Sequence, residues 1–172
     1  FALCPLTSRS LVRDIGWLSD SGVEIVYCTS RPLKTILDTK RAMDENNIYY
    51  DKIYHCGAYL SKQASSVLLD KRNGRLQYIE GISQKRDIFI IEKPDIAVDD
   101  KPEYIIEAHE SDVPSCVLVS TKYNKIWRAE RSQGGEGKDS SLDRLTFTND
   151  ESWESIFQEV IGLMDKKIKV GK

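Results

Sequence analysis

The chain has 172 residues, of which 40% are hydrophobic and 30% charged, and its net charge is -2. That length suits one domain with a single sizeable core, and near-neutral, interspersed charge argues against a dedicated nucleic-acid surface. No apolar run approaches the ~20 residues of a membrane span, so no membrane partner is expected.

In chain order, helical and strand signals alternate, the pattern of an α/β fold with a parallel sheet. Leu11, Ile15 and Leu18 keep a helical spacing within 7–20, with Thr7, Ser8 or Ser10 as the N-cap and Gly22 as the stop. Residues 23–28 are rich in β-branched side chains and predict a strand. Pro32 opens a second helix over 33–45, ended by Asn46-Asn47. A short strand follows at 53–56. The runs 67–69 and 76–79 flank Asn73-Gly74, a strong hairpin signal. This hairpin interrupts the alternation and reads as an insertion at the sheet edge. A helix over 83–92 stops before Pro94. Residues 96–98 form a buried strand that runs into Asp99-Asp100, followed by a helix over 102–110 and a strand over 116–119. The polar, glycine-containing stretch 128–143 reads as a loop. Its Gly137-Lys138 lacks the remaining glycine, the hydroxyl residue and the feeding strand of a nucleotide P-loop. The last helix, over 151–167, carries a stripe from Trp153 to Met164 that suits core packing.

Cys4, Cys28, Cys56 and Cys116 include no Cys-x-x-Cys pair, and three of them sit in or beside apolar strands. They read as reduced core thiols of a cytoplasmic, intracellular protein rather than as disulfides or metal ligands. His55 and His109 read as a strand-end and a helix-surface residue.

Ligands of a parallel α/β sheet bind beyond the carboxyl ends of its strands. Two such ends carry unusual polar groups. Thr29-Ser30-Arg31 could hold a phosphate with a hydroxyl and backbone N–H groups; the plainer account is a helix N-cap turn. Asp99 and Asp100 are adjacent carboxylates at the end of an apolar strand, and their repulsion is relieved by a hard divalent cation such as Mg²⁺. Here the plainer account is an N-cap plus one solvated acid. Lys85, about one helix before Asp99, could neutralise the same region; Lys93 lies at the wrong end of that helix.

These features in this order resemble the haloacid-dehalogenase-like (HAD-like) superfamily of phosphohydrolases. Ile25-Val26-Tyr27-Cys28-Thr29-Ser30-Arg31 is similar to its second motif, Lys85 to its third-motif lysine, and Ile96-Ala97-Val98-Asp99-Asp100 to its acidic fourth motif. Lys122-Tyr123-Asn124 and Ser152-Trp153-Glu154 are similar to the 5′(3′)-deoxyribonucleotidase-like branch. The resemblance implies one HAD-like, Rossmannoid domain over 1–172, a parallel sheet with helices on both faces plus the inserted hairpin. It implies phosphate binding by Thr29, Ser30, Arg31 and Lys85, with Thr29 and Lys85 catalytic, and Mg²⁺ on Asp99 and Asp100. The substrate would be a phosphorylated small molecule or nucleotide.

The first motif departs from the family. Its nucleophile and acid/base partner form Asp-x-Asp at the end of an apolar strand. Phe1-Ala2-Leu3-Cys4-Pro5-Leu6 has no acid, and Asp14 and Asp20 fall in or just after a helix. In this family the nucleophile strand lies beside the 23–28 strand. A strand, a loop and a helix need roughly 30–45 residues, whereas 28 precede Thr29. The expectation is a domain lacking a central strand, whose neighbours expose unpaired backbone. The chain is then a phosphatase domain completed by an upstream Asp-x-Asp, or a catalytically inactive HAD-like module with a binding or structural role alongside other protein segments. A receiver-like signalling domain has its acidic pair first in the chain, which this order contradicts.

Overall fold

The computed structural model describes residues 9–32, 35–57, 65–80, 84–122, 124–125, 127, 145–150 and 152–170. The expected loop 128–143, the helix starts at Thr7, Ser8, Leu33 and Ser83, and the segment holding Cys4 lie outside those described residues. The chain is mixed α/β and divides into two compact units, Phe1–Ile88 and Phe89–Lys172. Among the described residues no helix is long and apolar enough to cross a membrane.

The first unit holds α1 (Arg9–Asp20), β1 (Val26–Pro32), α2 (Ile36–Glu45), β2 (Lys52–Gly57), β3 (Ser65–Asp70) and β4 (Leu76–Glu80), followed by the start of α3 (Lys85–Glu92). Its sheet has the order β1-β2-β3-β4. β1 and β2 are parallel, and β2, β3 and β4 are successively antiparallel. The hairpin therefore lies at a sheet edge, as expected. Gly74 takes φ 63, the left-handed conformation for which glycine has no Cβ penalty. The Gly74 N–H bonds the Asp70 carbonyl at 3.0 Å. Tyr54, Cys56, Leu68 and Ile88 form one core cluster, with Val26, Cys28 and Ile79 against it.

The second unit holds β5 (Ile96–Asp99), α4 (Pro102–Glu110), β6 (Ser115–Leu118), β7 (Leu145–Phe147) and α5 (Trp153–Val170). Its strands run parallel in the order β5-β6-β7. Ala97, Ile105, Ala108, Val113, Cys116 and Leu118 form its core, joined by Phe89, Trp127, Leu145 and Phe147.

Three helices end alike. After α1, α2 and α4 a residue enters the left-handed region: Gly22 at φ 82, Asn47 at φ 53 and Asp112 at φ 62. The next residue is apolar, and its N–H reaches back five residues: Val23 to Leu18, Ile48 to Met43 and Val113 to Ala108. This is the Schellman cap, which satisfies orphan carbonyls and turns the chain back along the helix. Ile48 and Val113 are buried, so each cap also delivers an apolar anchor to the core just before the next strand.

Several sequence expectations need correction. β1 starts at Val26, not Val23, because the Ile25 N–H is taken by the Asp51 carboxylate at 2.8 Å instead of a ladder carbonyl. β1 then continues through Thr29 to Pro32, and α2 starts at Ile36 with Thr35 as its N-cap. Proline drives the residue before it out of the helical region, so Arg31 stays extended and Pro32 closes the strand rather than opening the helix. β5 is not buried throughout: Ala97 is buried, but Val98 is 41% exposed. His55 lies within β2 and is wholly buried, not at a strand end. β7 went unread, being only three residues long.

Among the described residues, β1 has a hydrogen-bonded strand on one side only, β2, and β5 likewise has only β6.

The Asp112 cap gives a direct test of the local backbone argument. Asp112 is exposed, so its side chain offers little packing to lose. Asp112→Val should destabilise the chain by about 1–2 kcal/mol, the cost of a left-handed residue with a bulky Cβ, whereas Asp112→Gly should leave the urea midpoint unchanged or raised. Equal midpoints for the valine and glycine variants would refute the assigned conformation.

Candidate functional site

The acidic pair is built from the strand upward. β5 pairs with β6 from Ile96↔Ser115 to Asp99↔Leu118. Beyond that register the Asp99 carbonyl still accepts the Val119 N–H at 2.9 Å. The next carbonyl, of Asp100, accepts the Asn124 amide at 2.9 Å. The same Asn124 nitrogen donates to the Val119 carbonyl at 2.8 Å, and its oxygen accepts the Thr121 N–H at 3.0 Å. Asn124 is buried and therefore works as a clamp: one side chain replaces the ladder where the strands part. Thr148 acts similarly on the other side of β6. Its hydroxyl oxygen accepts the Ser120 N–H at 2.8 Å and its proton goes to the Asp150 carbonyl at 2.6 Å. The carboxyl ends of β5, β6 and β7 are thus joined by buried side chains rather than left as loose loops.

On this platform Asp99 and Asp100 are half-buried. The Asp99 carboxylate accepts the Lys101 N–H at 3.0 Å, fixing the turn into α4. The N-cap residue of α4 is Lys101, followed by Pro102, and its own side chain makes no capping hydrogen bond. The Asp99 bond to the Lys101 N–H suits the plainer account of a capped helix start as well as the metal reading. Two carboxylates offering hard oxygen suit Mg²⁺, which commonly takes one or two protein carboxylates and completes its shell with water and phosphate. Among the described residues no group of three or more His, Cys, Asp or Glu side chains is placed to hold a metal, so the pair would be a partial, open ligand set.

In the first unit, Thr29 is the last residue of the regular β1–β2 register, opposite His55; the ladder is irregular from there to Pro32↔Gly57. The Thr29 hydroxyl oxygen accepts the Arg31 N–H at 3.2 Å, so the Thr-Ser-Arg segment folds back on its own hydroxyl at the point where pairing breaks. Thr29 is not an N-cap: the nearest helix begins at Ile36. Ser30 is exposed and Arg31 half-buried.

Lys85 is the first residue of α3 and only 5% exposed. A solvated surface lysine is thus ruled out. Burying an ammonium is costly without compensating groups, and the charge of Lys85 acts on the Cys56 thiol of β2. Lys93, the competing candidate, is exposed. Asp14, considered as a stray nucleophile, is buried within α1 and ion-paired with Arg13 at 2.7 Å; Asp20 is the last residue of that helix.

Sequence reasoning missed the parts played by Asn124 and Thr148. Both are polar residues just past apolar strands, the signal that drew attention to Thr29 and Asp99, but neither sits in an acidic or basic cluster. Comparison with protein-family models, with curated proteins and with solved structures returned no match.

Removing the clamp leaves buried carbonyls and an N–H unsatisfied. Asn124→Ala should therefore cost about 1–3 kcal/mol in chemical denaturation and accelerate amide exchange at Thr121. Unchanged stability together with unchanged exchange would show that water replaces the clamp and that it does not hold the acidic pair.

Proposed function

We propose that this chain is a Mg²⁺-dependent phosphohydrolase domain of the HAD-like kind, supplying the phosphate- and metal-binding half of the reaction. The observation that carries the reading is the same in both units. Each candidate group stands where a parallel strand pair ends: Thr29 at the last regular β1–β2 pair, Asp99-Asp100 at the end of β5. One further feature supports it. Lys85 is buried rather than solvated.

In this reading Thr29 donates its hydroxyl to a phosphoryl oxygen, and Ser30 and Arg31 contribute backbone N–H and positive charge. Lys85 offsets the charge that builds on the transferring group. Mg²⁺ on Asp99 and Asp100 would supply charge neutralisation at the phosphoryl oxygens. The nucleophile would be an aspartate supplied by a segment other than the one described, since no Asp-x-Asp precedes Thr29. A second reading, a HAD-like module that binds without turnover, is favoured by that same missing motif.

Isothermal calorimetry with Mg²⁺ tests the acidic pair. Asp99→Asn and Asp100→Asn should each weaken binding at least ~tenfold, about 1.4 kcal/mol, without loss of folding; an affinity equal to wild type in both would remove the metal assignment. Inorganic phosphate binding tests the other half and should weaken in Thr29→Val and Lys85→Met.

Turnover is the separate question. With Mg²⁺ and phosphate monoesters the chain alone should hydrolyse at background rate. Clear hydrolysis abolished by Asp14→Asn or Asp20→Asn would place the nucleophile inside this chain and overturn the division of labour described above.

A further inference from the structure

We propose that Cys28 and Cys56 are a redox-active thiol pair that a hydroperoxide closes into a reversible disulfide. The pairing follows from strand register. Cys28 lies opposite Tyr54 in the parallel β1–β2 ladder, and Cys56 is two residues beyond Tyr54. Residues two apart on a strand share a face, so the two thiols meet diagonally across neighbouring strands. Their sulfurs are 3.4 Å apart, and both cysteines are free thiols. A disulfide bond of about 2.05 Å lies roughly 1.3 Å inside that contact. The irregular register between Thr29 and Pro32 gives β1 a place to absorb the approach.

The surroundings differ from those of an ordinary core cysteine, which behaves as a small hydrophobe. The hydrogen bond from Cys28 favours the Cys56 thiolate most. Burial opposes it, Ser66 and the positive charge of Lys85 assist, and Asp87 works against; the balance holds the Cys56 thiol below its ordinary range. Ser66 and Lys85 are themselves buried. A hydroxyl and a cation enclosed with two touching thiols are the groups that raise thiolate character. Cys116 serves as the internal contrast: it is buried in β6, and its sulfur bonds the Val113 carbonyl at 4.0 Å.

The chemistry balances with a hydroperoxide as oxidant. The shared proton can sit on either sulfur. With it on Cys28, the thiolate of Cys56 attacks one peroxide oxygen. The O–O bond breaks, the leaving oxygen takes a proton from solvent, and Cys56 becomes a sulfenic acid. Cys28 then attacks that sulfur as its proton passes to the departing hydroxide, which leaves as water while the S–S bond forms. The thiols lose two electrons and the hydroperoxide gains two. This pair stands on its own geometry and does not depend on the phosphohydrolase reading.

The test is intact-mass and peptide mapping of the full chain after titration with hydrogen peroxide, followed by alkylation with N-ethylmaleimide. The expected result is loss of two hydrogens and of alkylation at Cys28 and Cys56, a cross-linked peptide joining the two, and full recovery with dithiothreitol. Cys116 should stay reduced. Cys28→Ser and Cys56→Ser should each abolish the cross-link, with a sulfenic acid on the remaining cysteine captured by dimedone. The wild-type map decides the matter even if a variant fails to fold. Cross-links through other cysteines, oxygen added without a Cys28–Cys56 link, or both thiols still alkylated after peroxide would each overturn the proposal.

Discussion

Parallel ladders, among them residues 26–29 on 52–55 and 96–99 on 115–118, oblige the chain to return along each sheet before it can pair again. An antiparallel neighbour needs only a tight turn; a parallel one needs a crossover, here α2 in one unit and α4 in the other. The crossover puts successive strand ends on the same side, so polar residues that follow apolar strands gather there. Thr29, Asp99, Asp100, Asn124 and Thr148 all occupy such positions. The candidate chemistry is a by-product of this one pairing rule, applied separately in each unit.

Much of the element order was legible in the sequence, because apolar period and stop signals agreed. α4 was read with its observed bounds: Pro102 marks its first turn, and its apolar spacing ends at Glu110. The Asn73-Gly74 hairpin was equally plain, since left-handed φ at Gly74 has few other residues to serve it. What misled was local propensity outweighed by context. Pro32 is a good first helical residue, but it also forces Arg31 to stay extended, and here the strand prevails. Leu145-Thr146-Phe147 gives too short an alternation to be seen until β6 supplies a ladder for it.

The candidate site was legible as a set of residues, not as an environment. Side-chain type pointed to Thr29, Lys85, Asp99 and Asp100. The Asn124 clamp could not be inferred, because its three partners are backbone groups at residues that sequence alone does not bring together. Nor could the burial of Lys85: a lysine beginning a helix is usually solvated, and only the packed structure shows otherwise. Cys28 and Cys56 were read as separate core thiols for the same reason. Their contact depends on a ladder register that a one-residue slip would destroy, since it would turn the two side chains to opposite faces.

The Asn73-Gly74 hairpin also bears on the order in which the first unit assembles. β3 and β4 are joined by five residues, whereas β1 cannot meet β2 until α2 and its flanking turns have been spanned. Closing a short loop costs less chain entropy than closing a long one, and isolated hairpins form in about 1–10 μs. β3 and β4 therefore offer the first surface on which the unit can grow, β2 adds to it, and β1 arrives last. Of the four described strands of its sheet, the one that carries Thr29 is then the last to be placed, so the candidate phosphate-binding segment is also the one with the shortest residence in the folded ladder.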